Sequence, residues 1–268
     1  MGQMPLEGKT VVVTRPKHQA GAFADLLQTR GAHVLFFPAI EITPPVDWSP
    51  VDEAIETIRG YDALVFTSSN AARYFFERAR DRGLTSVALG KKVVYALGAK
   101  TAEAVAFYGM RAVRFPGVGN ANELGSAIVN SGVRHRRYLL PKGRLAGTTV
   151  RDTLVQNGQA ADEIVVYETV MPRADETREM RQALESSRVD VVTFFSPSSV
   201  ENYFTLVGDI PLGDKTVFAA IGKTTAEALR AIGKRAEIVA GHPKAEELVA
   251  AIERYFADAL HDPLPPRE

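Results

Sequence analysis

The chain has 268 residues, 46% of them apolar and 24% charged, enough to bury two cores of ordinary domain size. Its 32 basic and 32 acidic residues cancel, which argues against bulk affinity for nucleic acid or an anionic membrane while leaving room for a local basic cleft. With no cysteine, disulfides, thiolate metal sites and cysteine nucleophiles are excluded.

The first element is TVVVT at Thr10 to Thr14, a β-branched apolar run that reads as a buried parallel strand. Pro16 and Lys17 break it. Phe23, Leu26 and Leu27 then mark one face of a helix that stops at Gly31, and Val34 to Phe37 reads as the next strand. This β-α-β opening sets the Thr-Arg-Pro turn beyond the carboxyl end of the first strand, where such folds place binding groups. Further strands are expected at Ala63 to Phe66, Val93 to Leu97, Ala112 to Phe115, Tyr138 to Leu140, Glu163 to Tyr167, Val189 to Phe194, Val217 to Ile221 and Glu237 to Val239. Helical stretches separate nearly all of them. That pattern suits two doubly wound parallel α/β sheets better than one. The tail from His261 to Glu268, HDPLPPRE, is expected to fray.

Three internal matches support a doubled architecture. YDALVFTSSNAARYFF (Tyr61 to Phe76) parallels DVVTFFSPSSVENYF (Asp190 to Phe204). LGAKTAEAVAFYG (Leu97 to Gly109) parallels IGKTTAEALRAIG (Ile221 to Gly233). VTRPKHQAGAFADLLQTRG (Val13 to Gly31) parallels LPKGRLAGTTVRDTLVQNG (Leu140 to Gly158). The simplest cut is tandem, at residue 130. The polar breaks lie instead at Pro38 to Pro50 and at Pro172 to Thr177, which would suit a layout whose first β-α-β completes the last domain. Periodicity does not choose between them.

The candidate site residues sit at strand ends. Thr67, Ser68, Ser69 and Asn70 follow one strand and open a helix, and Ser196, Ser198 and Ser199 occupy the matching places, with Asn70 set against Ser199. Such residues cap helices, and the same free N–H groups bind anions. Lys100 and Thr101 after Gly98, and Lys223, Thr224 and Thr225 after Gly222, form a second pair of loops. Thr224 to Glu227 fits a capping box, with Lys100 at the matching cap position, so Glu103 and Glu227 are expected to be structural. Arg15 and Lys17, and in the other half Lys142 and Arg144, are basic turns suited to carboxylate or phosphate. Tyr167 ends a strand, either as packing or as a phenol that donates a proton to a departing hydroxyl. The five histidines form no ligand pattern, so no metal is expected. GxxxxGK[ST], a strand-following GxGxxG and GxSxG are all missing, so no nucleotide cofactor or serine elbow is expected.

Taken together, VVVTRP (Val11 to Pro16), FFPAIEI (Phe36 to Ile42), ALVFTSSNAARYFF (Ala63 to Phe76), VYET (Val166 to Thr169), VVTFFSPSSVENYF (Val191 to Phe204) and AAIGKTTAEAL (Ala219 to Leu229) resemble the uroporphyrinogen-III synthase family. The similarity runs from about Lys9 to Phe256. It implies two flavodoxin-like domains joined by a two-segment antiparallel connector, with the substrate in a cleft between them. Domain one would comprise residues 1–37 and 172–262, domain two residues 44–165, with connectors at 38–43 and 166–171. It further implies a cofactor-independent, metal-free cyclising lyase. Hydroxymethylbilane would lose its ring A hydroxyl, ring D would attack through a spiro intermediate, and ring D would emerge inverted in uroporphyrinogen III. Tyr167 would assist the leaving hydroxyl, and the strand-end loops would hold the substrate's acetates and propionates. The implied partner is this small linear tetrapyrrole, with no nucleic acid and no membrane. A monomer is implied, with at most transient contact with the preceding pathway enzyme. The N-terminus MGQMPLEGK lacks an apolar signal core, and no stretch approaches ~20 apolar residues, so cytoplasm is the expected compartment. Two α/β domains around a cleft would also suit a periplasmic-type binding protein, and a variant nucleotide site is the other alternative.

Overall fold

A computed structural model describes residues 4–84, 89–90, 92–133, 137–173, 177–186, 188–208, 210 and 215–261. The side chains of residues 17, 18 and 259–261 lie outside that description, as does the stretch 262–268 for which fraying is expected. The backbone divides into two compact units, residues 1–41 with 170–268, and residues 42–169.

The first unit holds β1 (Thr10–Val13), α1 (Lys17–Gln28) and β2 (His33–Phe36) from the beginning of the chain. From the end it takes α7 (Arg178–Ser186), β9 (Val191–Phe194), α8 (Pro197–Val207), β10 (Val217–Ala220), α9 (Lys223–Ala231), β11 (Ile238–Val239) and α10 (Ala245–His261). Its five-stranded sheet runs β2-β1-β9-β10-β11, and every pairing is parallel. Side chains alternate across a strand, so TVVV feeds two cores. Val11 and Val13 join Phe23 and Leu27 of α1 and Leu248 and Ile252 of α10 on one face. Val12 joins Val200, Tyr203 and Val207 of α8 and Leu229 of α9 on the other. Burying each such side chain stabilises by roughly 1.5–3 kcal/mol, which is why these strands are apolar throughout.

The second unit contains β3 (Glu41–Thr43), α2 (Ser49–Glu56), a short 3₁₀ turn at Ile58–Gly60, β4 (Ala63–Phe66), α3 (Ser69–Asp81) and β5 (Val93–Ala96). It continues through α4 (Gly98–Phe107), β6 (Ala112–Val113), α5 (Ala121–Asn130), β7 (Arg137–Gly143), α6 (Thr149–Gln156) and β8 (Ala160–Val170). Its six-stranded sheet runs β3-β8-β7-β4-β5-β6. Leu64, Phe66, Leu139 and Val166 pack under α2, α3 and α4. Val65, Tyr138 and Leu140 pack with Leu124 and Ile128 of α5 and Leu154 of α6.

The strand readings need two corrections, and one strand is added. Glu41–Thr43, within the connector that the resemblance implies, is a strand beside β8. β8 starts at Ala160 and reaches Val170, well beyond Glu163 to Tyr167. β7 continues through Pro141 to Gly143 rather than stopping at Leu140. A proline lacks the N–H that a central strand requires. It is tolerated here because β4 pairs with β7 only as far as Leu139, so that side of Pro141 has no ladder to serve.

The doubled sequence produces doubled architecture. Asp62 precedes β4 and its carboxylate accepts from the Arg137 N–H at the start of β7 (3.0 Å). Asp190 precedes β9 and accepts from the Thr10 N–H at the start of β1 (2.9 Å). In both sheets an aspartate satisfies the first donor of the strand that leads a β-α-β unit. The strand led in this way by Asp190 is β1, from the opposite end of the chain. Thr14 and Thr193 tie the same two strands farther along. The Thr14 hydroxyl donates to the Thr193 carbonyl (2.7 Å), and the Thr193 hydroxyl to the Val12 carbonyl (2.9 Å).

Candidate functional site

β4, β7 and β8 are parallel neighbours, so their carboxyl ends open on one edge of the second unit's sheet. Two of the residues singled out above, Ser68 and Tyr167, converge there with Gly143. Ser68 follows β4 and is the N-cap of α3, its Oγ accepting from the Ala71 N–H at 3.1 Å. The same Oγ lies 3.3 Å from the Tyr167 hydroxyl, with either oxygen able to donate. Gly143 ends β7 and stands directly opposite Tyr167.

The aim of Tyr167 comes from an irregularity. Lys142 is in register with Val165, but Gly143 is in register with Tyr167, so β8 carries one extra residue, Val166. Such a bulge re-aims the side chain that follows it. Strict alternation would send Val166 and Tyr167 to opposite faces. Instead both pack against the core beneath α3, Val166 fully buried and Tyr167 partly so. A Cβ placed on Gly143 would lie 2.5 Å from the Tyr167 Cζ, 2.7 Å from Cε2 and 2.8 Å from the hydroxyl oxygen. The phenol therefore lies against bare backbone, a close approach that glycine alone allows. Tyr74 of α3 stacks with the Tyr167 ring, centroids 5.9 Å apart and planes 25° from parallel.

The neighbouring basic turn is internally satisfied. Lys142 is buried, and its Nζ donates to Glu163 at 3.0 Å and to the Gly147 carbonyl at 3.1 Å. Arg144 grips Glu168 through Nε and an Nη (2.8 and 2.6 Å). That pairing holds the Glu168 carboxyl below the usual carboxylate range. Neither cation is left facing solvent alone.

The remaining hydroxyls of this loop differ. Thr67, Ser69 and Asn70 are half-buried and make no side-chain hydrogen bond among the described residues. The α4 loop is also open. The N-cap of α4 is Leu97, without a side-chain cap, so the expectation of a cap at Lys100 is corrected. Thr101 is buried; Lys100 is exposed and has partners of its own.

In the first unit the matching serines close on each other. Ser196 is the N-cap of α8, and its Oγ accepts from the Ser199 N–H (3.2 Å). The Ser199 Oγ accepts in return from the Ser196 N–H (3.1 Å) and the Phe195 N–H (3.3 Å), and donates to the Ser196 carbonyl (2.7 Å). Ser198 Oγ lies 3.1 Å from Ser196 Oγ. The capping serine Ser196 thus matches Ser68, which sets Asn70 against Ser198 and Ala71 against Ser199, a correction to the alignment above. At α9 the N-cap is Gly222 with no side-chain cap, so Thr224 lies inside the helix and the capping box with Glu227 does not form. Thr225 is buried, whereas Lys223 and Thr224 are exposed.

Arg15 is half-buried with its guanidinium 4.8 Å from the centre of the Phe195 ring. Burial lowers its pKa, and no carboxylate pairs with it among the described residues. Lys17 opens α1; its side chain lies outside the described residues. Among the described residues there is no cluster of three His, Asp or Glu able to hold a metal, and no helix is long and apolar enough to cross a membrane. Sequence reasoning missed Tyr74 and Gly143. Tyr74 looks like any aromatic on an amphipathic helix, and Gly143 like any turn glycine.

Known proteins resemble this chain over most of its length. A family model described as uroporphyrinogen-III synthase HemD matches residues 21–250. A uroporphyrinogen-III synthase of Chlorobaculum parvum is 30% identical over 232 residues, covering 86% of this chain and 92% of that protein. One from Synechococcus elongatus is 29% identical over 265 residues, covering 95% and 98%. The crystal structure of uroporphyrinogen-III synthetase from Helicobacter pylori superposes with a TM-score of 0.65 at 18% identity, covering 92% of this chain and 99% of that one. A mutant uroporphyrinogen III synthase from Thermus thermophilus gives 0.60 at 21%, covering 94% and 100%. These two superpositions speak to the fold.

Proposed function

The chain belongs to the uroporphyrinogen-III synthase family, and we propose that it closes the linear tetrapyrrole hydroxymethylbilane to uroporphyrinogen III with loss of water. The observation that carries this reading is the Tyr167 hydroxyl, 3.3 Å from Ser68 Oγ at the carboxyl ends of β4, β7 and β8, in a chain of this family. The ring A hydroxymethyl C–O bond breaks as the pyrrole nitrogen's lone pair pushes outward and the departing oxygen takes a proton. Tyr167 donates the hydrogen bond that assists this departure, the Ser68 hydroxyl can donate a hydrogen bond to the phenol oxygen meanwhile, and the ring proton lost at the last step balances the proton taken by the departing water. The resulting azafulvene cation is attacked by the substituted carbon of ring D. The spiro intermediate so formed fragments and recloses with ring D inverted, and loss of a ring proton restores aromaticity.

An electron-rich pyrrole expels water with little push. Tyr167 is accordingly a helpful donor, and the larger task is holding the bilane folded so that ring D reacts at one carbon. The acetates and propionates need donors. Those we propose are Thr67, Ser69, Asn70 and the α3 N-terminus, the uncapped N-termini of α4 and α9 with Lys100, Thr101, Lys223, Thr224 and Thr225, and Arg15, with which no carboxylate pairs among the described residues, together with Lys17. Lys142, Ser196, Ser198 and Ser199 act instead as structural supports, because their polar atoms already serve other groups. We read each sheet as flavodoxin-like and doubly wound. Supporting this are the strand order β2-β1-β9-β10-β11 in the first and the helices on both faces of each. The reaction needs no cofactor, and we propose a cytoplasmic monomer.

The test supplies freshly prepared hydroxymethylbilane and resolves the uroporphyrin isomers after oxidation. Isomer III is expected. Isomer I alone, at the spontaneous rate, would refute the assignment.

A further inference from the structure

We propose that Tyr74 and Gly143 are positioning residues for Tyr167, together fixing the direction in which its phenol presents a proton. The inference rests on the synthase reading above and deepens it.

A tyrosine on a strand end has two side-chain torsions and, when half-buried, room to tilt. Two contacts remove that room. The Gly143 backbone lies so close that even a methyl group would meet the ring at 2.5 Å. The Tyr74 ring stacks with it at 5.9 Å. Tyr74 is itself held. Its hydroxyl donates to the Ile42 carbonyl in β3 (2.7 Å), and the Arg73 guanidinium sits 4.6 Å from its ring centre. β3 is the sheet neighbour of β8, the strand that carries Tyr167. The α3 helix thus touches Tyr167 twice, through the capping hydroxyl of Ser68 and through the ring of Tyr74, and Tyr74 anchors that helix to the strand beside its target. A hydroxyl whose ring is fixed on these contacts keeps one approach to the leaving oxygen, and an error of about 1 Å in such a group can cost on the order of a hundredfold in rate.

The experiment measures kcat and KM with hydroxymethylbilane for Tyr74→Phe, Tyr74→Leu and Gly143→Ala, each alone and in a Tyr167→Phe background, with thermal unfolding as a control. Tyr167→Phe should lower kcat about five- to tenfold, the value of one neutral hydrogen bond. Tyr74→Leu should lower kcat by a similar factor with KM nearly unchanged, since the loss of one aromatic contact is worth about as much. Tyr74→Phe keeps the stack and should recover most of the rate. Gly143→Ala should lower kcat at least as far as Tyr74→Leu; if it does not fold, the Tyr74 variants decide alone. In the Tyr167→Phe background, Tyr74→Leu should add little, because its effect runs through the missing phenol. If Tyr74→Leu retains full kcat, or lowers it equally in both backgrounds, the positioning role is overturned while the synthase reading stands. If Tyr167→Phe itself is as fast as the unaltered protein, the role of Tyr167 falls and the inference with it. If the unaltered protein makes no uroporphyrinogen III, the synthase reading fails first.

Discussion

The loop from Phe66 to Asn70 and the loop from Phe194 to Ser199 descend from one pattern, strand, hydroxyls, helix, and end in different chemistry. In the first unit's copy, three serines share their hydrogen bonds among themselves and the local backbone. In the second unit's copy, one serine both caps the helix and meets a tyrosine, while Thr67, Ser69 and Asn70 make no side-chain hydrogen bond among the described residues. The difference lies at the third helical position. Ser199 there supplies a side chain that reaches back and completes a capping box, whereas Ala71 supplies none. A repeat can therefore retain its helix-starting role in both copies while only one retains donors for a ligand.

Five substitutions test that contrast, from the largest expected effect to the smallest. Ser199→Ala removes the acceptor for two N–H groups at a buried position and should cost about 2 kcal/mol, lowering Tm by roughly 4–8 °C. Turnover per folded molecule should be kept, and a stable but inactive protein would move this loop into the site. Ser68→Ala should cost about 1 kcal/mol for the lost cap and also lower kcat about fivefold. Loss of stability with normal kcat would make the two copies equivalent after all. Ser69→Ala and Thr67→Val should change stability by no more than about 0.5 kcal/mol and raise KM about threefold, as expected for single neutral donors. An unchanged KM in both would remove these hydroxyls from substrate binding.

The smallest effect concerns the helices behind the loops. Tyr203 in α8 occupies the place of Phe75 in α3, and both are fully buried. The Tyr203 hydroxyl finds no partner among the described residues, and burial pushes its phenol above the ordinary range. Tyr203→Phe makes the first unit's copy match the second unit's and should stabilise by about 0.5 kcal/mol at neutral pH. The sign with pH is fixed. A raised folded pKa means that stability is fully present below the ordinary phenol value of about 10 and falls as pH rises above it. The advantage of the phenylalanine variant should therefore grow in alkaline unfolding experiments, and a constant difference from pH 7 to 11 would show that the folded phenol's pKa is not raised.

Most strands and helices were legible because their cause is local. TVVV and ALVF are apolar on both faces, as a strand with helices above and below must be. Ser68 and Ser196 cap where a capping residue should stand. The failures were just as specific. The strand read as ending at Leu140 continues through Pro141, because the missing ladder partner is a property of β4 and not of β7. Thr224 fitted a capping box, but the helix begins one residue before it, at Lys223, and Gly222 takes the cap.

By itself the sequence determined that two α/β repeats exist, which residues end their strands, and which family they resemble, since periodicity, caps and motif order are written along the chain. Two matters were decided only by tertiary structure. One is the partner of β1, which periodicity left open and the resemblance only implied. TVVV at Thr10–Val13 and the start of β7 at Arg137 to Leu139 could each satisfy an Asp-led apolar strand, and only the pairing itself sets Thr10 beside Asp190 and Arg137 beside Asp62. The other is the aim of Tyr167. Period-two alternation gives a side chain its face only while the register is unbroken, and the extra residue Val166 breaks it one position earlier. That single bulge turns the phenol onto Gly143 and toward Ser68, and nothing in the local run of IVVYET announces it.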